Sequence, residues 1–358
     1  RKGALMKRQL ILENGDVFIG EGFGANVDTS GEVVFQTSMT AYQEAITDPS
    51  NCGQIITFTV PLVGNYGMTR DDDEAIQPAI HGVIVKEYER EPSHWRSTES
   101  LDSYLKRHRI PGLAGIDTRK LMRLLGTSGP LRGKLCSLEE DVDRAVQELR
   151  NASFEHPVRR VSTKEPYRIP GKGRRVVIVD FGMKQSILQP LIERGCDIIV
   201  VPFDSTKDEI FRYDPDGVIL TNGPGKAEAL EDTINTVKQL LGRVPIFGIS
   251  LGQQLLGLAC GAATERLQSD HRGASYPVRD LKSDRVIMTK QNHRYALKRD
   301  TLEAANLRLT HVALNDRTVE GIEHQTFKAF GVQFIPDRYE GNSLYDHFLT
   351  MMERRGES

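Results

Sequence analysis

The sequence has few cysteines and no long apolar run, and each shortage excludes a class of protein. Cys52, Cys136, Cys196 and Cys260 lie far apart, with neither CxxC nor zinc-ligand spacing, so they predict reduced thiols, no metal site and no disulfide framework. No apolar run approaches the roughly 18 residues of a membrane span, which predicts a cytoplasmic protein without a membrane partner. A net charge of −2 lacks the basic footprint of a nucleic-acid-binding protein.

Length and composition favour an ordinary globular chain of two domains, because 358 residues exceed one typical domain and 39% of them are hydrophobic. Residues 1–5 precede Met6 and are interpreted as a cloning remnant. Residues 6–155 begin strand-rich and become helical after about residue 100. Residues 156–174 combine proline, glycine and charge, which is typical of a linker. From residue 175 to 358 strands and helices alternate, which predicts an α/β domain with an open, mostly parallel sheet.

The hydrophobic pattern also predicts individual elements. In the first half it predicts strands at 9–12, 17–20, 31–36, 54–60 and 81–85, a hairpin turn at 14–15, and helices near 101–105, at 118–125 and at 138–149, with a turn at 111–112. In the second half it predicts strands at 176–180, 197–201, 217–220, 286–289, 319–322 and 329–334, and helices at 186–194, 227–241 and 343–354. Asp117 or Thr118 is expected to cap the helix that starts there.

The most informative stretch is 244–262, where an apolar run stops between Gly248 and Gly252 and passes at once into apolar residues at helical spacing. This predicts a buried strand, a tight turn and a buried helix, with Ser250 on the turn. A side chain there stands at the carboxyl edge of the sheet, where free helix N–H groups stabilise an anion. The alternative is an ordinary strand–helix joint that happens to hold a serine.

A glycine-rich turn, 221–225, follows the predicted strand 217–220 and falls at the same sheet edge as Ser250. Backbone N–H groups around Gly223 and Gly225 would suit an oxyanion hole, which needs donors fixed toward a developing negative charge. Most turns of this kind merely close a strand, so the combination with Ser250 carries the interpretation.

Taken in order, several motifs in the second half resemble a class I glutamine amidotransferase. They are Asp-Phe-Gly at 180, Asn-Gly-Pro-Gly at 222, Gly-Ile-x-Leu-Gly-x-Gln at 248, Gln-Asn-His at 291 and Val-Gln-Phe-x-Pro at 332. The first half resembles the N-terminal domain of the carbamoyl-phosphate synthase small chain, through segments 31–35, 39–44, 48–50, 64–67 and 115–121. The resemblance covers the chain from Met6 and implies a ligase complex with a large, ATP-using chain that receives ammonia. It implies no cofactor on the small chain.

The same resemblance implies that the catalytic residues are altered. Family members hydrolyse glutamine with a cysteine on the tight turn between strand and helix, called the nucleophile elbow, together with a histidine base and a glutamate that orients the base. Here the cysteine position holds Ser250, the histidine position holds Ile335 and the glutamate position holds Asp337. The nucleophile is therefore weaker and the base is lost, because isoleucine has no lone pair.

The family's glutamine-binding positions are mostly retained. Those that match are Ser50, Gly223, Gly225, Leu251, Gln254 and Asn292, together with Tyr295 where an aromatic residue is usual. Arg294 stands where the family has glycine and is expected to fill or recharge the pocket, unless it points to solvent. Gln253 replaces a histidine, and the segment 338–345 is shorter than the family's loop.

Two hypotheses remain open. In the first, the chain is a small subunit whose glutaminase is silent and which still docks on a carbamoyl-phosphate synthase large chain, or a relative of one, that uses free ammonia. In the second, it is an active amidotransferase or acyl hydrolase in which Ser250 is the nucleophile and another residue is the base. His271, His293 and His324 are the conceivable bases, although a structural role suits each of them better. A histidine at hydrogen-bond distance from Ser250 would favour the second hypothesis.

Overall fold

The structure is a computed structural model and describes residues 6–152, 157–336 and 342–352. The predicted cloning remnant at 1–5 lies outside these residues. The chain divides into two compact units, with the division between residues 157 and 158. Each unit has its own apolar core.

The N-terminal unit is built on a closed seven-stranded barrel in the order β1-β2-β8-β6-β4-β3-β9. Its strands, with the small β5–β7 pair beside them, are β1 Lys7–Leu12, β2 Val17–Gly24, β3 Thr29–Gln36, β4 Gln54–Phe58, β5 Leu62–Val63, β6 Gly82–Val85, β7 Glu87–Tyr88, β8 Pro111–Ala114 and β9 Leu131–Ser137. The predicted hairpin at 14–15 joins β1 to β2, where the Asn14 side chain accepts a hydrogen bond from the Asp16 N–H at 3.1 Å.

Of the four α-helices described in this unit, the last three follow the predicted pattern and begin at polar caps, whereas the first was not predicted and has no side-chain cap. They are α1 Tyr42–Thr47, α2 Leu101–Arg107, α3 Thr118–Ser128 and α4 Val142–Asn151. Asp117 caps α3 by accepting a hydrogen bond from the Lys120 N–H at 2.9 Å, which confirms one of the two expected caps. The last helix begins at Val142 and not near 138, because Asp141 caps it through the Arg144 N–H at 2.8 Å.

Two barrel strands were not predicted. The strand β8 begins with Pro-Gly, which reads as a turn, but proline is tolerated at the first residue of a strand and all four residues of β8 are buried. The strand β9 pairs with both β1 and β3 and so closes the barrel. Closure of the barrel depends on pairing between residues more than 100 positions apart. The hydrophobic pattern of a short segment carries no information about such pairing.

The C-terminal unit is a ten-stranded sheet with helices packed against it, in the strand order β10-β12-β11-β13-β14-β19-β18-β17-β15-β16. Its strands are β10 Tyr167–Ile169, β11 Arg175–Asp180, β12 Asp197–Pro202, β13 Gly217–Leu220, β14 Ile246–Ile249, β15 Thr264–Asp280, β16 Val286–Leu297, β17 Leu307–Ala313, β18 Val319–His324 and β19 Ala329–Val332. The five central strands pair in parallel, as the alternating pattern predicted, and antiparallel pairs lie at both ends. The expected α/β class is confirmed.

The helices of this unit are α5 Pro157–Val161, α6 Leu188–Glu193, α7 Lys207–Phe211, α8 Glu231–Leu240, α9 Leu251–Ala259 and α10 Asn342–Met351. The segment expected as a linker carries regular structure in its described part, because α5 and β10 lie within it. The strand β10 adds to the sheet edge by antiparallel pairing with β12. The proline and charged residues of this segment therefore accompany an edge strand, where both residue types are common.

Strands β15 and β17 were not predicted, and β16 runs eight residues beyond the predicted 286–289. Register shifts interrupt the β15–β16 pairing between Arg266 and His271 and again between Gly273 and Tyr276. Each shift breaks the alternation of buried and exposed residues on which strand prediction depends. All four cysteines are free, and among the described residues no helix has the length and apolarity needed to cross a membrane.

Candidate functional site

Ser250 occupies the turn between β14 and α9, at the carboxyl end of a central parallel strand. Its backbone adopts φ 54° and ψ −108°, a conformation that is uncommon for a residue with a side chain. The Ser250 N–H donates to the Val332 carbonyl at 2.8 Å, so β19 holds the turn in place. Strain of this kind persists where surrounding contacts fix it and is characteristic of a nucleophile elbow.

Glycine is required beside this serine for a steric reason. A Cβ atom on Gly252 would collide with the carbonyl group of Leu220 at the end of β13, and one on Gly248 would lie 2.6 Å from the Gly252 carbonyl oxygen. The sharp path from β14 into α9 therefore depends on the absence of both side chains. This confirms the strand, turn and helix predicted over 244–262.

The glycine-rich turn packs beside the start of α9. A Cβ atom on Gly223 would lie 3.0 Å from the Leu251 side chain, and Gly225 has a positive φ of 91°. The Gly252 N–H donates to Thr221 O at 3.0 Å, and the Gln253 N–H donates to Ser250 O at 3.0 Å. In the described chain this leaves the Leu251 N–H without a backbone acceptor at the helix start. It is the donor best placed to face an oxyanion.

The Ser250 hydroxyl contacts an amide group. Gln333 Nε2 lies 3.4 Å from Ser250 Oγ, a long hydrogen bond in which the amide is the donor. The orientation of this amide follows from its neighbours. Gln254 Nε2 donates to the Tyr295 carbonyl at 2.8 Å, so the Gln333 atom that Gln254 Nε2 contacts at 3.2 Å must be the acceptor Oε1. Gln333 Nε2 therefore faces Ser250 and cannot accept its proton.

Ile335, at the predicted base position, lies in apolar surroundings. It is 8% exposed and belongs to a core cluster with Ile249, Val332 and Phe334. Its N–H donates to the Lys290 carbonyl at 3.0 Å, which extends the sheet by a single bridge beyond β19. An alkyl side chain there offers no lone pair. Asp337, predicted at the position of the orienting acid, lies outside the described residues, as does the first half of the segment 338–345.

The three histidines considered as substitute bases all make other contacts. The ring of His293 lies between Gln291 Oε1, at 2.9 Å, and the Tyr295 carbonyl, at 3.1 Å. His271 contacts Gln291 and Asp316. The His324 ring accepts hydrogen bonds from backbone N–H groups of the turn at 326–327. Within the described part of the chain, no histidine makes a hydrogen bond with Ser250.

Arg294 is held by an ion pair and does not extend freely into solvent. Its Nε lies 3.2 Å from Asp270 Oδ2, and its side chain is 16% exposed. Arg272 contacts the same carboxylate at 3.1 Å, and its guanidinium also donates to Asn292 Oδ1 at 2.9 Å. The predicted position Asn292 thus belongs to a buried charged network together with Arg294.

The remaining predicted positions are divided between the two units. Tyr295 lies on β16, where its carbonyl binds Gln254 and its ring faces the Lys226 ammonium group at 5.7 Å. Ser50 belongs to the N-terminal unit, in the short turn Pro49–Asn51, where its N–H donates to Asp48 Oδ1 at 2.8 Å.

Sequence reasoning missed Gln333 and Asp270 as parts of the site. Gln333 stands within the quoted motif Val-Gln-Phe-x-Pro, which was a signal, but its contact with Ser250 spans 83 positions and depends on parallel pairing of β14 with β19. Asp270 has no distinguishing local pattern and is identified only by the two guanidinium groups that it binds.

Comparison with known proteins gives two family matches. Residues 10–135 match the family "Carbamoyl-phosphate synthase small chain, CPSase domain", and residues 177–348 match "Glutamine amidotransferase class-I".

Individual relatives agree with these matches over nearly the full length. The carbamoyl phosphate synthase small chain of Bacillus cereus is 53% identical over 352 residues, which are 97% of this chain and 96% of the relative. The carbamoyl phosphate synthase pyrimidine-specific small chain of Halalkalibacterium halodurans is 53% identical over 353 residues, which are 97% of this chain and 98% of the relative. Among solved structures, a glutamine amidotransferase of Thermotoga maritima matches 52% of this chain and 100% of its own, with 16% identity and a TM-score of 0.40.

Proposed function

Since the chain belongs to the carbamoyl-phosphate synthase small-chain family, we propose that it is a small subunit whose own glutaminase is silent and which serves a large chain that uses ammonia. The observation that carries the proposal is the environment of Ser250. Its hydroxyl meets an amide donor, and the position at which the family has its base is a buried isoleucine.

The chemistry explains why this matters. Glutamine hydrolysis needs a nucleophile stripped of its proton and an acid that returns a proton to the leaving ammonia. A serine hydroxyl is protonated near neutral pH and attacks only when a base takes that proton. Neither the Gln333 amide nor the Ile335 side chain can accept a proton or deliver one at neutral pH. An oxyanion donor at Leu251 would then stabilise an intermediate that does not form.

The elbow and the polar contacts around it nonetheless persist. The turn keeps its strained serine, and the amides of Gln254 and Gln333 remain bonded within the core. This supports a role for the unit in presenting a folded surface. In the proposal the large chain binds this subunit and draws its nitrogen from free ammonia.

The deciding experiment uses the full chain with a candidate carbamoyl-phosphate synthase large chain. We expect the two to co-purify, and carbamoyl phosphate to form with ammonium and not with glutamine as the sole nitrogen source. The same large chain with a glutamine-hydrolysing small chain is the control, and it must give product from both. Equal turnover with glutamine and ammonium would contradict the silent glutaminase, and failure to bind any large chain would contradict the docking role.

A second candidate function is an acyl hydrolase with Ser250 as nucleophile. The strained elbow and the available Leu251 N–H favour it, because both suit acyl transfer. Release of product from an activated ester by the chain, abolished in Ser250→Ala, would support this alternative over the silent subunit.

A further inference from the structure

A compact group of buried histidine and glutamate side chains lies on strands β15, β16 and β18 and plays no part in the proposed function. His271 on β15, His293 on β16 and Glu320 on β18 bring one ligand atom each to within 4.8 Å of one another. All three are buried, with 4%, 6% and 0% exposure respectively. We call these residues the His271–His293–Glu320 cluster.

The spacing of its atoms suits a single ion. Glu320 Oε1 lies 3.6 Å from His271 Nδ1 and 3.7 Å from His293 Nε2. In a tetrahedral zinc site with bonds of about 2.0–2.1 Å, neighbouring ligand atoms are about 3.4 Å apart. Gln291 Oε1 lies 2.6 Å from His271 Nδ1 and 2.9 Å from His293 Nε2, which are hydrogen-bond distances shorter than that spacing, so Gln291 borders the cluster and is not counted as a ligand.

Hydrogen bonding alone does not satisfy this group. The Gln291 amide is oriented by Nε2, which donates to Thr289 Oγ1 and to Glu320 Oε2, each at 3.0 Å, so its Oε1 faces the histidines. A neutral His293 has one N–H but two facing oxygens, Gln291 Oε1 and the Tyr295 carbonyl. If that N–H binds Tyr295, the Nε2 lone pair points at acceptor oxygens.

Glu320 adds a further unsatisfied acceptor. Its Oε1 is buried and has no hydrogen-bond partner within the described residues. An unpaired buried carboxylate oxygen is costly, and several lone pairs that converge on one point are most simply satisfied by a cation.

The outer contacts of both histidines are those of metal ligands. His271 Nε2 lies 2.7 Å from Asp316 Oδ2, and His293 Nδ1 lies 3.1 Å from a backbone carbonyl. Metal-bound histidines almost always donate their other ring N–H to a carboxylate or a carbonyl, which fixes the tautomer and aims the remaining lone pair at the ion. Both rings are fixed in this way.

We propose that His271, His293 and Glu320 bind one divalent transition-metal ion, of which Zn²⁺ fits best. Two imidazoles and one carboxylate are ligands that zinc accepts, and all three side chains are buried. The ion would tie β15, β16 and β18 together, replacing the proton on His271 Nδ1. This inference departs from the expectation of no metal drawn from cysteine spacing and does not rest on the proposed function.

The test is zinc titration of the untagged full chain after metal removal by chelator dialysis. We expect one zinc per chain by calorimetry, a rise in the thermal midpoint on zinc addition, and at least about 100-fold weaker binding in Glu320→Gln, because even outer contacts of metal ligands are worth 10–100-fold. Glu323→Gln, on the same strand but outside the cluster, should bind zinc as the unaltered chain does. His293→Asn should weaken binding, and His94→Asn, at an exposed site, should not.

Anomalous diffraction from zinc-soaked crystals of the unaltered chain keeps the test independent of variant folding. A peak between His271, His293 and Glu320 supports the proposal even if Glu320→Gln does not fold. The proposal would be overturned by less than one zinc per chain, by unchanged affinity in a folded Glu320→Gln chain, or by an anomalous peak elsewhere. The cluster would then be a hydrogen-bonded network without a metal ion.

Discussion

At the level of single residues, the silent-glutaminase proposal rests on more than one position. Ser250 contacts a donor, Ile335 packs among apolar side chains, and Arg294 binds Asp270. In that proposal each of these residues concerns a separate requirement: the nucleophile, the base and the pocket. Repair of one should therefore leave the other two unmet.

Restoring the thiol alone should fail. We expect Ser250→Cys to release no ammonia from glutamine above background, because the nearby Gln333 amide is no base and burial without a base favours the neutral thiol. The measurement is ammonia release by the purified chain with saturating glutamine.

Activity should need Ser250→Cys together with Ile335→His, and Arg294→Gly in addition if the arginine blocks the pocket. The single Ile335→His chain is the control for background caused by the new imidazole. Ammonia release from Ser250→Cys alone would mean that another residue already acts as the base. Isoleucine at position 335 would then not be the reason for lost activity.

The residue identities were readable from the sequence, whereas the contacts were not. The differences at 250, 294 and 335 are implied by the resemblance to the family's motifs. The amide chain from Tyr295 through Gln254 and Gln333 to Ser250 joins α9, β16 and β19, and its geometry exists only when those elements pack together. Side chains that act across strands leave no local signal.

At the level of elements, the joint between β14 and α9 depends on close backbone approach. We expect Gly252→Ala to destabilise the chain by about 1–3 kcal/mol or more, because the new methyl group would collide with the Leu220 carbonyl and neither backbone can yield cheaply. Urea unfolding measures this free energy.

Gly126→Ala is the matched control. Gly126 lies inside α3 with nothing within 4 Å of the added methyl group, so the same substitution should stabilise the chain by about 0.5–1 kcal/mol. Equal effects of the two substitutions would contradict the proposed collision at the elbow.

The edge strand β10 is attached to the sheet partly by charge. Asp197 on β12 accepts hydrogen bonds from Arg168 at 2.8 Å and from Arg175 at 2.9 Å. The hydrogen bond from Arg168, against the opposing effect of burial and with help from Arg175, lowers the pKa of the Asp197 carboxyl. A lowered pKa in the folded state stabilises the protein above the unfolded value of about 3.9, and this contribution is lost as the pH falls through the folded value.

We therefore expect Asp197→Asn to cost about 1.5–3 kcal/mol at pH 7, the range for hydrogen bonds to charged groups, and less as the pH falls below about 4. Urea unfolding at several pH values measures the difference. Asp346→Asn, which breaks an exposed ion pair with Arg194, should cost at most about 1 kcal/mol. A difference for Asp197→Asn that did not shrink in acid would argue against the ionised carboxylate as its cause.

The hydrophobic pattern predicted the elements in which it is regular. It failed for elements whose structure is determined by packing against the rest of the fold. The parallel strands β11 to β14 are continuous apolar runs and were predicted within a residue or two. In contrast, β15 has polar residues, two register shifts and a partner on either side, so its structure comes from the pairing and not from its own sequence.

At the level of the whole molecule, the N-terminal unit offers exposed apolar side chains that its own core does not use. Met39 is 83% exposed and lies within the segment 31–67, whose motifs resemble the small-chain family. An apolar side chain that is nearly free in the isolated chain is a candidate anchor for a partner protein.

If the large chain docks on this segment, Met39→Glu should weaken the complex by tenfold or more, about 1.4 kcal/mol, because the charge would be buried on binding. Leu138→Glu, at a residue 47% exposed outside the motif segments, is the control and should leave the affinity unchanged. Surface plasmon resonance against the large chain gives both values, and equal affinities would place the docking surface elsewhere.

The packing of Ile335 has a consequence for the history of the chain. Its side chain fills a core cluster with Phe334 and Val332, so a return to histidine would remove apolar contacts and bury an imidazole without a partner, at a cost of roughly 1–3 kcal/mol. A returning histidine would serve a serine, which is a weaker nucleophile than the family's cysteine, and a returning cysteine would have no base while position 335 is isoleucine. If an ancestor of this chain carried the histidine and cysteine of the family, the packing around Ile335 would make their recovery by single mutations hard.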